Sequence, residues 1–251
     1  MTFDIKTVAA ITIAFDDFVY FNSREENRVK EMLPVLHNIS LQYAFKNARS
    51  RYRIHELVPD YENEIARAVH PYYIYPAIPI NVNGNIPDFS GSAASMMTTM
   101  FPIGWQSDSY RTFTSQTSTN MLQFSAIKVA APGNVFGTFI TSSLAFKDLL
   151  AAIPGYIRLG KFSSKARVDV SEAKFSIRTD KGFCKWLVNP VDLPPGLKIG
   201  RHYVASLRRM NPNDLIHDVA FNSPVQLIDV TIGNATTSLP VCYNFESKRK
   251  T

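Results

Sequence analysis

A chain of 251 residues, 45% hydrophobic and 19% charged, can bury a proper core and does not have the composition of a disordered tail. Its two cysteines, Cys184 and Cys242, are too few for a disulfide framework or a four-cysteine zinc site. The net charge of +6 is unevenly placed: residues 151–210 hold 12 Lys and Arg against 4 Asp and Glu, and the remaining residues hold 15 against 17.

In chain order, "KTVAAITIAFDDFVYF" (6–21) is rich in β-branched and aromatic residues and predicts a first strand. Its apolar part is too short to cross a bilayer, and Asp4, Asp16 and Asp17 around it spoil a secretory signal, so no membrane association and a cytoplasmic location are expected. "NSREENRVKEML" (22–33) carries a capping box, Ser23 to Glu26, and predicts a helical turn. "PVLHNISLQYAFKNA" (34–48) has Pro34 at a natural first helical position and Leu36, Ile39 and Tyr43 at helical spacing, which predicts the best helix of the chain. "PYYIYPAIPINV" (71–82) reads as extended, with Pro76 and Pro79 favouring a sheet edge.

Residues 83–120 carry only Asp88, Asp108 and Arg111 as charges and are full of Ser, Thr, Met and Gly. A loop of that length is uncommon in a compact domain unless it has a task, and a projecting hairpin or arm is expected. Strand character returns in "MLQFSAIKVAAP" (121–132) and "NVFGTFITSSLAF" (134–146). "LAFKDLLAAIP" (144–154) then predicts a short helix stopped by Pro154.

"GYIRLGKFSS" (155–164) falls one residue short of the phosphate-loop pattern G-x-x-x-x-G-K-[ST], because Phe162 stands where the hydroxyl belongs. A helix precedes this segment and a strand follows it, the reverse of what a nucleotide loop requires. "KARVDVSEAKFSIRT" (165–179) alternates, with Ala166, Val168 and Val170 to one side and Arg167 and Asp169 to the other. A glycine loop ringed by Arg158, Lys161, Lys165 and Arg167 suits the backbone of a polymer better than a triphosphate. The aromatics of the basic stretch, Tyr156, Phe162, Phe175, Phe183 and Trp186, add stacking surface, and RNA becomes the expected partner. "GFCKWLVNPVDL", "HYVASLRRM" and "SPVQLIDVTIG" predict further strands. The order strand, helix, strand, further strands, helix, strand is that of a ferredoxin-like or RRM-like α+β domain. The chain is read as one elaborated domain over 1–251, with an inserted arm at about 83–120, a glycine loop at 155–165 and additional C-terminal strands.

The stretches "FVYFNSRE", "LHNISLQYAF" and "YIRLGKFSSKARV" together resemble the Cas-five-type subunit family of type I-D CRISPR effector complexes, Csc-one. The resemblance runs from about residue 7 to about residue 195, and "IRLGKFSSKA" is its most specific part. It implies an RRM-like subunit that holds the 5′ handle of the CRISPR RNA, joins the large subunit to the backbone subunits and pushes a thumb between handle nucleotides. Contact with target DNA near its protospacer-adjacent motif stays open.

On that reading Arg158, Lys161, Lys165 and Arg167 grip handle phosphates, Gly160 allows close backbone approach, and Ser163 and Ser164 offer donors. Phe162 either stacks on a base or anchors the loop in the core, and core anchoring is expected. Met100, Trp105, Tyr110 and Arg111 on the arm serve either nucleotides or a neighbouring subunit. A second reading is a metal-independent endoribonuclease with His37 as general base. Beside Leu36 and Ile39, a hydrogen-bonded structural histidine is the stronger expectation, so no catalytic residue is assigned. His55, His70, His202 and His217 lack ligand spacing, and neither a metal nor a cofactor is expected.

Overall fold

The computed structural model describes residues 4–21, 23–26, 29–45, 72–83, 86–91, 93–103, 125–206, 213–233 and 235–242. The longer elements run, in chain order, β1 (Thr7–Phe15), α1 (Asn38–Ala44), β2 (Tyr72–Ile74), β3 (Ile78–Pro79), β4 (Thr98–Ile103), β5 (Ser125–Ala130), β6 (Val135–Ser142), α2 (Phe146–Ala152), β7 (Tyr156–Leu159), β8 (Ser164–Glu172), β9 (Lys174–Asp180), β10 (Val225–Ile232) and β11 (Ala235–Pro240). The protein is mostly β, and its main sheet is antiparallel and curls as a half-barrel. That sheet has the order β7-β8-β1-β6-β2, with β3 also pairing with β6.

Period-two alternation in β1 supplies both faces of this sheet. Ala9, Ile11, Ile13 and Phe15 point to one core with Phe136, Ile140, Ile157, Leu159, Ala166 and Val168, which α1 covers through Leu41 and α2 through Leu149. Val8 and Ala10 point the other way, into a second core that Phe139, Tyr73 and Tyr75 share with the C-terminal residues Trp186, Leu227 and Val230. Trp186 is fully buried, with its ring edge-on to Phe139 at 4.7 Å and its indole N–H donating to the Pro76 carbonyl at 3.0 Å. It is therefore core and offers no stacking surface, contrary to the expectation for the basic stretch. The C-terminal layer holds the sheet β9-β10-β11. On β1 it covers the end that carries Val8 and Ala10, and Thr12 and Ala14 stay half-buried.

Several local expectations yield to long-range pairing. The predicted helical turn at 23–26 is a strand, Arg24–Glu26, because it pairs with Val29–Glu31, which in turn lies parallel to β5. The helix expected from Pro34 begins only at Asn38: Leu36 still exchanges both backbone hydrogen bonds with Ala77, at 2.9 Å each, and His37 is the N-cap. The strand expected over 165–179 is two strands, β8 and β9, separated at the buried Ala173. Of the segment 71–82, the described residues 72–82 are extended and lie at the β2 edge, as the prolines require.

The arm expected over 83–120 departs from the body later than its composition indicates. Phe89 is buried beside Phe139 at 5.3 Å, and the Ala94 amide donates to the Pro79 carbonyl at 2.8 Å. From Thr98 the chain pairs as β4 with β5. The buried Asn134 side chain clamps the base of this hairpin, accepting from the Met97 amide at 2.9 Å and donating to the Met97 carbonyl at 2.8 Å. Met96 packs on the core, whereas Met100 is 58% exposed. Trp105, Tyr110 and Arg111 lie outside the described residues, as do His55 and His70.

A buried polar cluster ties α1 to the C-terminal layer. Asn38 donates to the Asp192 carboxylate at 2.7 Å, the Tyr73 hydroxyl donates to the same oxygen at 2.8 Å, and Asn189 donates to the Asn38 carbonyl oxygen at 3.0 Å. Burial, with the Asp192 charge next in importance, pushes the Tyr73 phenol far above its ordinary range, so it stays a donor.

Candidate nucleic-acid interface

Gly155 and Gly160 do not belong to one loop. The strand β7 separates them, and Gly160 opens a four-residue turn, Gly160–Ser163, between β7 and β8. In place of the glycine loop expected between helix and strand, the intervening strand makes this segment the tip of an antiparallel hairpin. Gly160 has φ +75° and Ser163 φ 52°, and the Ser163 amide donates to the Gly160 carbonyl at 3.1 Å. The close approach that Gly160 permits is internal, because a Cβ there would lie 2.7 Å from the Tyr20 carbonyl oxygen. That same oxygen accepts from the Lys161 amide at 2.8 Å. Ser164 is likewise employed internally: its buried hydroxyl donates to the Phe18 carbonyl.

The outward face of the hairpin carries the charge. Alternation buries Ile157, Leu159, Ala166 and Val168 and exposes Tyr156, Arg158, Lys165 and Arg167. Arg158 lies directly opposite Lys165, and Tyr156 opposite Arg167. The Val168 amide donates to the Gly155 carbonyl at 2.9 Å, so the pairs 155/168, 157/166 and 159/164 are the hydrogen-bonded ones. Arg158/Lys165 and Tyr156/Arg167 are then the closely spaced pairs that exchange no backbone bond. Like charges at such a position repel.

The two cations turn apart. Arg158 Nη1 donates to the Ser163 carbonyl at 2.9 Å, and Lys165 Nζ stands 4.1 Å from the centre of the Tyr156 ring. Among the described residues, none of Arg158, Lys161 and Lys165 has an ion-pair partner. Arg167 is paired with Asp169 at 3.2 Å, an exposed contact worth little.

At the turn tip Phe162 is 48% exposed, so the expectation of core anchoring fails; its ring lies 5.7 Å from that of Tyr20. Lys161 Nζ hovers 5.9 Å from the same Tyr20 ring. Sequence pattern alone could not point to Tyr20, because it is some 140 positions away and only the Gly160 turn brings it here. Tyr156 is 55% exposed. Arg158, Lys165, Arg167, the exposed Tyr156 ring and the small residues Thr12 and Ala14 of the neighbouring strand therefore share one open platform, with Lys161 and Phe162 on the turn at its end and the exposed Asp16 and Asp17 at its rim.

His37 has no nitrogen to spare. Its Nδ1 accepts from the Ile39 amide at 3.2 Å, and its Nε2 lies 3.2 Å from the Asn213 carbonyl, which can only accept. Burial pulls its pKa down to about 4, with the bond to Asn213 opposing. The residue is a neutral helix cap. Among the described residues no three His, Cys, Asp or Glu side chains cluster as a metal site, and no helix is long and apolar enough to cross a membrane.

No curated protein matches the chain by sequence. Among solved structures it is similar, at 10% identity, to a chain of a type IV-B CRISPR complex, with 65% of this chain and 90% of that one covered and a TM-score of 0.37. It is also similar, at 10% identity, to a chain of the type III-B Cmr-beta complex bound to cognate target RNA and AMPPnP, with 84% and 86% covered and a TM-score of 0.42. The family model described as "Type I-D CRISPR-associated protein Cas5/Csc1" matches residues 6–248, nearly the whole length, and the chain belongs to that family.

Proposed function

We propose that this protein holds the 5′ handle of the CRISPR RNA on the β7–β8 platform and does so without cutting it. Family membership gives the chain a role in a CRISPR complex. The observation that carries the handle reading is the Arg158/Lys165 pair: two cations directly opposed on closely spaced strands, neither with a carboxylate partner among the described residues. Such an arrangement costs free energy in the free protein and becomes favourable when an anionic backbone lies across it. Lys161 extends the cationic track to the turn tip, and Tyr156 and Phe162 offer stacking faces that any base can use. Ser163 contributes through its carbonyl, which positions Arg158. Ser164 and Gly160 contribute by fixing the turn against Phe18 and Tyr20.

The order β8-β1-β6-β2, with α1 and α2 on one face, supports a ferredoxin-like or RRM-like reading of the main sheet. In such a fold the face opposite the helices is where RNA lies, and the platform is the uncovered end of that face. The β4–β5 hairpin, with Met100 exposed on its stem, is read as the thumb that meets nucleotides or the adjoining backbone subunit. Both His37 nitrogens are engaged, which supports the non-catalytic reading over the endoribonuclease alternative.

Ultraviolet cross-linking of the assembled complex on CRISPR RNA tests this reading. Adducts at Tyr156 and Phe162 with handle nucleotides are expected. Handle adducts confined to other subunits would overturn it, and cleavage of repeat RNA by the purified chain in EDTA would overturn its non-catalytic part.

A further inference from the structure

A second feature lies behind the platform. An open cleft of ≈ 340 Å³ runs between α1, which contributes Ile39, Ser40, Tyr43 and Ala44, and the end of β7, with Phe21 at its side. Arg158, Leu159 and Gly160 all line it. Side chains of consecutive strand residues point to opposite faces, so a cleft that touches both Arg158 and Leu159 meets the strand edge-on. β7 is the outermost strand of the main sheet.

The hydrogen-bonding register decides what that edge presents. Because 157/166 and 159/164 are the bonded pairs, the amide and the carbonyl of Arg158 both point away from β8. No hydrogen bond to either group is formed among the described residues. An adjacent donor and acceptor on one rigid strand match the donor and acceptor side by side on a nucleobase edge. Half-buried Phe21 and Tyr43 supply aromatic walls, and the Ser40 hydroxyl a further polar contact. The volume is at the small end of the range for ligand pockets, enough for one base and too little for a folded partner.

We infer that this cleft receives one unpaired nucleobase, splayed out of the strand whose phosphates lie on the platform and read by the Arg158 main chain. The inference rests on the handle reading, and it adds a base-dependent subsite to a charge-dependent track. Arg158 links the two: its side chain is on the exposed face of the hairpin, and the register turns its backbone to the free edge of β7, beside the cleft. A base so held is distinguished by its edge and size, whereas bases stacked on Tyr156 or Phe162 are not distinguished.

The test uses the intact chain and three probes: short single-stranded RNA, an abasic strand of the same length, and inorganic polyphosphate. The Arg158 amide, followed by NMR hydrogen exchange, is expected to become protected by RNA and to stay unprotected with polyphosphate or the abasic strand. Filling the cleft with Ser40→Phe should weaken RNA binding roughly tenfold while leaving abasic-strand affinity and the salt slope unchanged. Equal protection by RNA and polyphosphate, or RNA binding with no change at Arg158, would overturn the inference while the platform stands. Absence of any RNA binding would remove both readings together. The exchange measurement needs no variant, so misfolding of Ser40→Phe cannot obscure the answer.

Discussion

Gly160 passes so close to Tyr20 that any side chain at position 160 would meet the Tyr20 carbonyl, with a Cβ only 2.7 Å away. The contact fastens a turn near the end of the sheet's outermost hairpin to the segment that leaves β1, and it sets the height at which Lys161 and Phe162 stand. Gly160→Ala meets both this backbone oxygen and a left-handed φ. A stability loss of about 1–3 kcal/mol is expected, read as a lower urea midpoint, together with weaker RNA binding. A wild-type midpoint would show that the turn yields freely.

Protonation of His37 gives a signed pH dependence. Its pKa falls from 6.5 to about 4 on folding, chiefly through burial. The unfolded chain therefore binds the proton first as pH falls. The stabilisation due to the neutral cap is complete above pH 6.5 and is lost as pH drops toward 4. The difference amounts to about 3 kcal/mol. His37→Asn keeps a cap and removes the titration, so its unfolding free energy should fall less steeply than the wild type's over that window. Parallel pH curves for the two proteins would contradict the buried-cap assignment.

The Asp192 cluster joins α1 to the C-terminal layer through neutral donors. Asp192→Ala leaves the Tyr73 hydroxyl and the Asn38 amide without the acceptor they share at 2.8 and 2.7 Å. Two stranded groups predict a cost of about 2–5 kcal/mol. Chemical denaturation measures it, and a loss below about 1 kcal/mol would mean that the cluster reorganises around the gap.

The hairpin stem sets the limits of a deletion in the proposed thumb. Removing residues from 88 onward would take out Phe89, a core residue, whereas replacing 104–124 by a tight turn keeps β4, β5 and the Asn134 clamp. The shortened chain should retain its circular dichroism spectrum and melting temperature and co-purify less well with the backbone subunit and CRISPR RNA. Assembly at full strength would contradict the thumb reading.

Legibility in the sequence followed the range of the interactions. Alternation in "KARVDV" put Arg167 and Asp169 on the face opposite Ala166 and Val168, as the structure does, because a half-buried strand writes its faces into period two. The short helix before Pro154 was legible for the same local reason. The strand at Arg24–Glu26 was not, because its capping-box pattern is local while its partner, Val29–Glu31, is itself held as a strand by β5, which lies far along the chain. Within the candidate site the four cations could be read from composition. The partnership of Gly160 and Lys161 with Tyr20 could not, nor could the outward Arg158 main chain, which depends on register alone.

The central claim is that Lys161 and Lys165 neutralise phosphates of a bound RNA strand. Salt dependence of affinity tests it most directly, because each neutralised phosphate releases a counterion whatever the base. Binding of single-stranded handle RNA should give a linear fall of log affinity with log salt, and Lys161→Ala with Lys165→Ala should reduce the slope by roughly 0.7 for each phosphate no longer neutralised. An unchanged slope in the double variant would contradict the account.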